Sequence, residues 1–228
     1  MSRPKRRSKK RLEPRLAEAQ AGERVVLFMD AAHFVYGAFL GMLWCVQRLF
    51  VKTPSGRQRL NVLAALNAIT HEIFTVQNLT YVTAATVCEL LRLLADAYPG
   101  QPITIILDNA RYQRCAVVQE MAASVGIELL FLPPYSPNLN LIERLWKFVK
   151  KRCLYGKYYA ESAAFQQAIL DCIAQAHTKD NAALASLLSL QFQTFQAVPI
   201  VGDQPQVVLF PVAKRQRSTT QKVSSKAA

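Results

Sequence analysis

A chain of 228 residues that is 51% hydrophobic holds ample apolar material for one buried core of ordinary domain size, which excludes disorder throughout. Its formal net charge of +13 points to a polyanionic partner, and most of that charge sits at the ends. Residues 1–15 carry Arg3, Lys5, Arg6, Arg7, Lys9, Lys10, Arg11 and Arg15 against Glu13, and Lys214, Arg215, Arg217, Lys222 and Lys226 lie in the tail, so 15 of the 28 bases and 14 of the 15 acids remain on a nearly neutral body.

In chain order, the first 23 residues read as a basic, nearly structureless arm that closes in a short helix from Leu16 to Gly22. Such an arm suits phosphate contact through Lys5, Arg6, Arg7, Lys9 and Lys10, and equally suits a solubilising end. Val25 to Met29 is an apolar run short enough for a strand buried on both faces, and it ends on Asp30. His33 to Cys45 reads as a second strand. Asp30, His33, Gly37 and Gly41 interrupt the apolar stretch from Val25 to Val46, which argues against a membrane span. The polar segment Glu13 to Arg24 argues against a signal peptide. After the loop Thr53-Pro54-Ser55-Gly56, Arg59 to Ile69 and Glu72 to Gln77 continue a meander that turns near Thr70 and His71.

The period then changes. Val87, Leu90, Leu91 and Leu94 predict a helix over 82–97, stopped by Tyr98-Pro99-Gly100. Ile103 to Leu107 is a second buried-strand run, and it too ends on an aspartate, Asp108. A helix over about 113–124, a strand over 127–132, a proline loop and the helix carrying Glu143 follow, with further helices over 161–177 and 182–195. The domain reading is a basic arm (1–23), an α/β catalytic domain (24–160), helices packed on it (161–197) and a basic, largely irregular tail (198–228). A meander followed by strand-helix-strand-helix implies a mixed sheet with helices on its faces. In such sheets the functional crevice lies beyond the carboxyl ends of the parallel strands, where both aspartates fall.

One aspartate after a strand is commonplace in turns and caps, but two matching apolar pentads that each end on Asp are less easily coincidental. If the strands are parallel neighbours the carboxylates converge, and like charges held close require a cation or a proton between them. The five cysteines are odd in number, widely spaced and without a Cys-x-x-Cys pair, which fits reduced thiols and leaves a hard, oxygen-liking ion as the natural counterion. Glu143 has two readings: the far end of a capping box that starts at Asn140, or a first-turn carboxylate kept ionised by the helix dipole and free to bind a metal. Arg144, Lys147, Lys150, Lys151 and Arg152 spread round the same helix, as a DNA phosphate contact or as a plain solvated face. Ile142, Leu145 and Val149 form its apolar stripe, and Trp146 reads as core in preference to a base-stacking ring. Asn109 reads as a turn residue and His33 as a satisfied core histidine.

The order Asp30, Asp108, Glu143, with 34 residues between the last two, resembles the DDE transposases of the mariner superfamily, in its bacterial insertion-sequence branch. The surrounding words are similar too: Phe28-Met29-Asp30 with His33-Phe34, Leu107-Asp108-Asn109, Leu132-Pro133-Pro134-Tyr135-Ser136-Pro137, Leu139-Asn140, Ile142-Glu143 and Trp146. The likeness covers roughly residues 24–160, and its last block is the most specific. It implies an RNase H-like fold whose three acids, Asp30, Asp108 and Glu143, are catalytic and hold two Mg²⁺ or Mn²⁺ ions about 4 Å apart for in-line attack on a phosphodiester. By the same resemblance Asp30 bridges both ions, Asp108 and Glu143 each complete one, and double-stranded DNA at element ends and at a target is the substrate.

Members of that family carry an N-terminal helix-turn-helix region for end recognition, and no such region fits in the 23 residues before the first strand. The expectation is therefore a separate or frameshifted end-binding region, or a fragment. A homodimer, no membrane partner and a cytoplasmic, nucleoid-associated location complete the reading. Its rivals are an RNase H-like nuclease on another nucleic acid and a catalytically idle DNA-binding remnant.

Overall fold

The computed structural model describes residues 3–37, 46, 58–133, 139–176, 178–188 and 190, with the side chains of residues 3–10 and 181 excepted. Five strands, β1 (Val25–Val35), β2 (Arg59–Asn67), β3 (Ile73–Asn78), β4 (Ile103–Leu107) and β5 (Ile127–Phe131), form one sheet in the order β3-β2-β1-β4-β5. The meander β1-β2-β3 pairs antiparallel, whereas β1-β4 and β4-β5 pair parallel, as crossovers through helices require. The helices are α1 (Arg3–Gln20), α2 (Ala84–Ala97), α3 (Ala116–Ser124), α4 (Ile142–Cys153), α5 (Ser162–Ala176) and α6 (Asn181–Leu187).

Alternation along β1 divides the core. Val26, Phe28, Ala32 and Phe34 face α1, α4, α5 and α6, while Val25, Leu27 and Met29 face α2 and α3. Both faces are therefore covered, which is why the strands read as continuous apolar runs. On the first face, Ile142, Leu145 and Val149 of α4 are fully buried, as their spacing predicts. Phe165, Ile169 and Ile173 of α5 with Leu184 of α6 extend the same core.

Several elements differ from the sequence reading. β1 does not end at Asp30 but runs through His33 to Val35 as one strand, held by pairing with β2 from Leu27↔Asn67 to Val35↔Arg59. The small residues Ala31 and Ala32 let it continue. The expected second strand thus begins inside β1, and its remainder, residues 38–45, lies outside the described residues, as do the loop 53–56, the end of the last predicted helix and the basic tail. The third helix starts at Ala116, later than predicted, because residues 111–115 form turns.

The N-terminal segment differs most. It is an 18-residue helix in place of a nearly structureless arm, and Leu12, Leu16 and Ala19 form a buried stripe at helical spacing on the first core face. Arg15 bonds Glu18 and Glu128 of β5, and Arg24 bonds Glu18 and reaches Thr104 of β4 at 3.1 Å. Pro14 removes one backbone bond from the helix interior, which is why the pattern reads as broken there. Leu12, 1% exposed, tests this packing. Leu12→Ala is expected to lower unfolding free energy by about 2–4 kcal/mol in urea titration, whereas a loose arm would lose nothing measurable.

Candidate active site

The register of the sheet places the two aspartates. The last β1-β4 pair is Phe28↔Ile106, and the same register continued by two residues sets Asp30 level with Asp108. Phe28 and Ile106 both point to the first core face, so by alternation Asp30 and Asp108 share that face. There α4 packs on β1 and carries Glu143 as its second residue.

Glu143 and Asp108 are both near enough for their charges to act on Asp30. The carboxyl of Asp30 is pushed up to about 7, first by burial and then by the negative charges of Glu143 and Asp108, against the opposing pull of hydrogen bonds from the Ala31 backbone and Trp146. Tyr112, missed in the sequence, stands near enough to feel the same two aspartates. Burial, then Asp30, then Asp108 push its phenol up to about 12. Among the described residues, no three His, Cys, Asp or Glu side chains stand close enough together to hold an ion as they are placed. The donor set still fits a divalent cation. Burial, with the charges of Glu143 and Asp108 added to it, disfavours the ionised form of Asp30, a charge that a cation would offset, and carboxylate oxygens suit Mg²⁺ or Mn²⁺.

Neighbouring side chains brace the acids. Trp146 is 3% exposed and packs edge-on against Phe34 at 6.1 Å, so it is core as expected; its indole N–H also donates to Oδ2 of Asp30 at 3.1 Å, which the sequence did not signal. Asp108 Oδ1 accepts the Ala110 N–H at 3.1 Å in a tight turn. Asn109 donates to the Leu132 carbonyl at the end of β5, in keeping with the turn reading. Gln113 is fully buried, and with its amide nitrogen turned toward Asp108 it donates to that residue's carbonyl at 3.0 Å and to Oδ1 at 2.5 Å. No sequence pattern marked Gln113, because its role depends on the fold of the turn.

Two expectations are corrected. The capping box does not form: Leu141 is the N-cap of α4, no side chain caps the helix, and the buried Asn140 Oδ1 has no hydrogen-bond partner among the described residues. Leu141 is itself in helical conformation, so Asn140 does not take the capping position, and residues 134–138 of the proline loop lie outside the described residues. His33 is exposed, on the opposite sheet face from Asp30, with Nδ1 2.7 Å from Asn61 Oδ1. It lies past the end of the β1-β4 pairing, where α2 and α3 no longer cover the strand.

The basic residues of α4 separate by face. Lys147 and Lys150 follow Glu143 at i+4 and i+7, on its side of the helix, and Lys151 is exposed. Arg144 donates to the Leu187 carbonyl at 3.0 Å and Arg152 to Asp180 at 2.6 Å, so both tie α4 to the segment around α6. Lys5, Arg6, Arg7, Lys9 and Lys10 fall in the basic half of α1, beyond the described side chains.

A mixed five-stranded sheet between helices, with acids at the carboxyl end of its central parallel pair, is the RNase H-like arrangement. Residues 25–166, more than half of the chain, match the DDE superfamily endonuclease family, and the chain belongs to that family. It is 25% identical over 130 residues to the insertion element IS630 uncharacterized 39 kDa protein of Shigella sonnei, a match covering 56% of this chain and 38% of that protein. The chain spans under half the length of the curated relatives it matches. Its fold is similar to the Mos1 mariner paired end complex with Mn, at TM-score 0.57 and 13% identity over 86% of this chain and 64% of that one. It is likewise similar to the Mos1 transposase catalytic domain solved with raltegravir and Mg, at TM-score 0.54 and 13% identity over 86% of this chain and 98% of that one.

The raised pKa of Asp30 has a measurable consequence. An acid that titrates near 3.8 unfolded and near 7 folded is destabilising once ionised. The cost is absent below pH 3.8, grows as the pH rises and is complete above pH 7. Asp30→Asn is therefore expected to stabilise the metal-free protein by about 2–4 kcal/mol at pH 8. By thermal or denaturant unfolding, the gain should fade as the pH drops toward 4.

Proposed function

We propose that this chain is the catalytic part of an insertion-sequence transposase, a metal-dependent DNA endonuclease and strand transferase in which Asp30, Asp108 and Glu143 are the catalytic acids. The reading is supported by the β1-β4 register, which sets Asp30 level with Asp108, and by the charges of Glu143 and Asp108 reaching Asp30. Membership of the DDE endonuclease family supports it, as do the Mos1 transposase structures of similar fold, solved with a transposon end and with Mn or Mg.

The three acids would hold Mg²⁺ or Mn²⁺, two ions by the family resemblance. When bound, such ions activate water or a DNA 3′-hydroxyl and neutralise the leaving oxygen of the phosphodiester. Burial of Asp30 keeps bulk water from screening that site, and its carboxyl near 7 releases a proton as a cation enters. Metal-dependent activity should accordingly weaken as the pH falls below 7. Lys147, Lys150 and Lys151, with Arg144, Arg152 and the basic half of α1, would contact DNA phosphates beside the acids. Double-stranded DNA at element ends and target, a helix-turn-helix end-binding region, a homodimer and action at the nucleoid in the cytoplasm belong to the same proposal. Among the described residues no helix is long and apolar enough to cross a membrane.

The test is cleavage of a supercoiled plasmid carrying the genomic DNA that flanks this reading frame, by the chain together with its end-binding region. Cleavage with Mg²⁺ or Mn²⁺ is expected, falling to the metal-free background for Asp108→Asn. Equal cleavage by wild type and Asp108→Asn would falsify the reading. A preference for RNA/DNA hybrids would favour the other nuclease, and salt-sensitive binding without nicking the idle remnant.

A further inference from the structure

The indole of Trp146 has a role that neither the fold nor the three acids account for. It lies one turn after Glu143 on α4, is 3% exposed, and is held edge-on against Phe34, four residues beyond Asp30 on β1. Its only polar atom, Nε1, donates to Oδ2 of Asp30 at 3.1 Å. A buried indole needs an acceptor, and any backbone carbonyl would have sufficed. Here the acceptor is a carboxylate under repulsion from two other acids, and the bond both eases that repulsion and orders the carboxylate. A lysine or arginine here would also have neutralised Asp30 and competed with a cation. The neutral N–H orients it and leaves its charge in place.

We propose that Trp146 is a positioning residue: one N–H···O bond fixes the rotation of the Asp30 carboxylate and, through the same side chain, sets the turn of α4 that bears Glu143 at the height of that carboxylate. The inference rests on the proposed metal-dependent function of the three acids. The carboxylate also accepts a bond from the Ala31 backbone, and the lone pairs that the two donors leave free remain for a cation. Loss of the donor lets the carboxylate turn about its broad terminal torsion, so the first effect falls on cation affinity.

Two arms test this in the full chain. Trp44 and Trp146 are the two tryptophans, so Trp44→Phe makes emission report on Trp146 alone. Titration with Mg²⁺ is expected to shift that emission, and Asp30→Asn in the same background to abolish the response. Trp146→Phe, confirmed as folded by circular dichroism, is expected to raise the Mn²⁺ concentration for half-maximal plasmid cleavage by about tenfold or more, with a smaller change at saturating Mn²⁺. Emission indifferent to Mg²⁺, or a folded Trp146→Phe with the wild-type Mn²⁺ requirement, would overturn the inference. Should Trp146→Phe not fold, the emission arm decides. An Asp30-dependent shift without any DNA cleavage would sink the proposed function and leave the positioning role standing; cleavage that needs metal but ignores Trp146 would do the reverse.

Discussion

The site depends on one parallel pairing. β1 and β4 share four residue pairs that stop at Phe28↔Ile106, and everything chemical happens just beyond that point. Two strands in parallel register carry equivalent positions level with each other, so an aspartate two residues past the last pair on each strand is held beside its counterpart. Neither can move away without unzipping a pairing whose residues are almost all buried. The fold therefore supplies the constraint, and burial together with the charges of Glu143 and Asp108 pushes the Asp30 carboxyl up to about 7. Such a conflict between stability and local charge is the usual mark of a functional site.

The helices on one face convert this pair into a triad. α4 is buried along Ile142, Leu145 and Val149, and that stripe fixes which residues look toward the sheet end and which toward solvent. Glu143 and Trp146 fall on the inner side, Lys147 and Lys150 beside them, and Arg144 and Arg152 reach across to the α6 segment. The basic residues of one helix thus divide between holding the helix in place and facing the approach to the acids. α1 adds to the same layer. Its Leu12 and Leu16 seat the helix on the sheet, which makes the basic half of α1 a continuation of a packed element.

Much of this was legible from the chain. The apolar pentads marked β4 and the start of β1, their terminal aspartates pointed to the sheet end where the candidate site lies, and the stripe of α4 was readable at helical spacing. The losses have physical causes. Asp30 looks like a strand end because a charge in a buried run is rare, yet antiparallel pairing with β2 carries β1 five residues further. Pro14 hides a helix whose burial outweighs one missing backbone bond. Asn140 has the spacing of a cap, but helical conformation at Leu141 takes that position. Gln113 and the Trp146 bond to Asp30 join residues distant in sequence, and no periodicity encodes such a contact.

The central claim is that these three carboxylates together hold a divalent cation. Anomalous diffraction from crystals of the protein grown with Mn²⁺ tests it most directly. The account predicts a manganese peak ligated by Asp30 and Asp108, with the Glu143 carboxylate turned toward the same site. A peak elsewhere in the molecule, or an ordered site without manganese and with Glu143 pointing away from both aspartates, would contradict it.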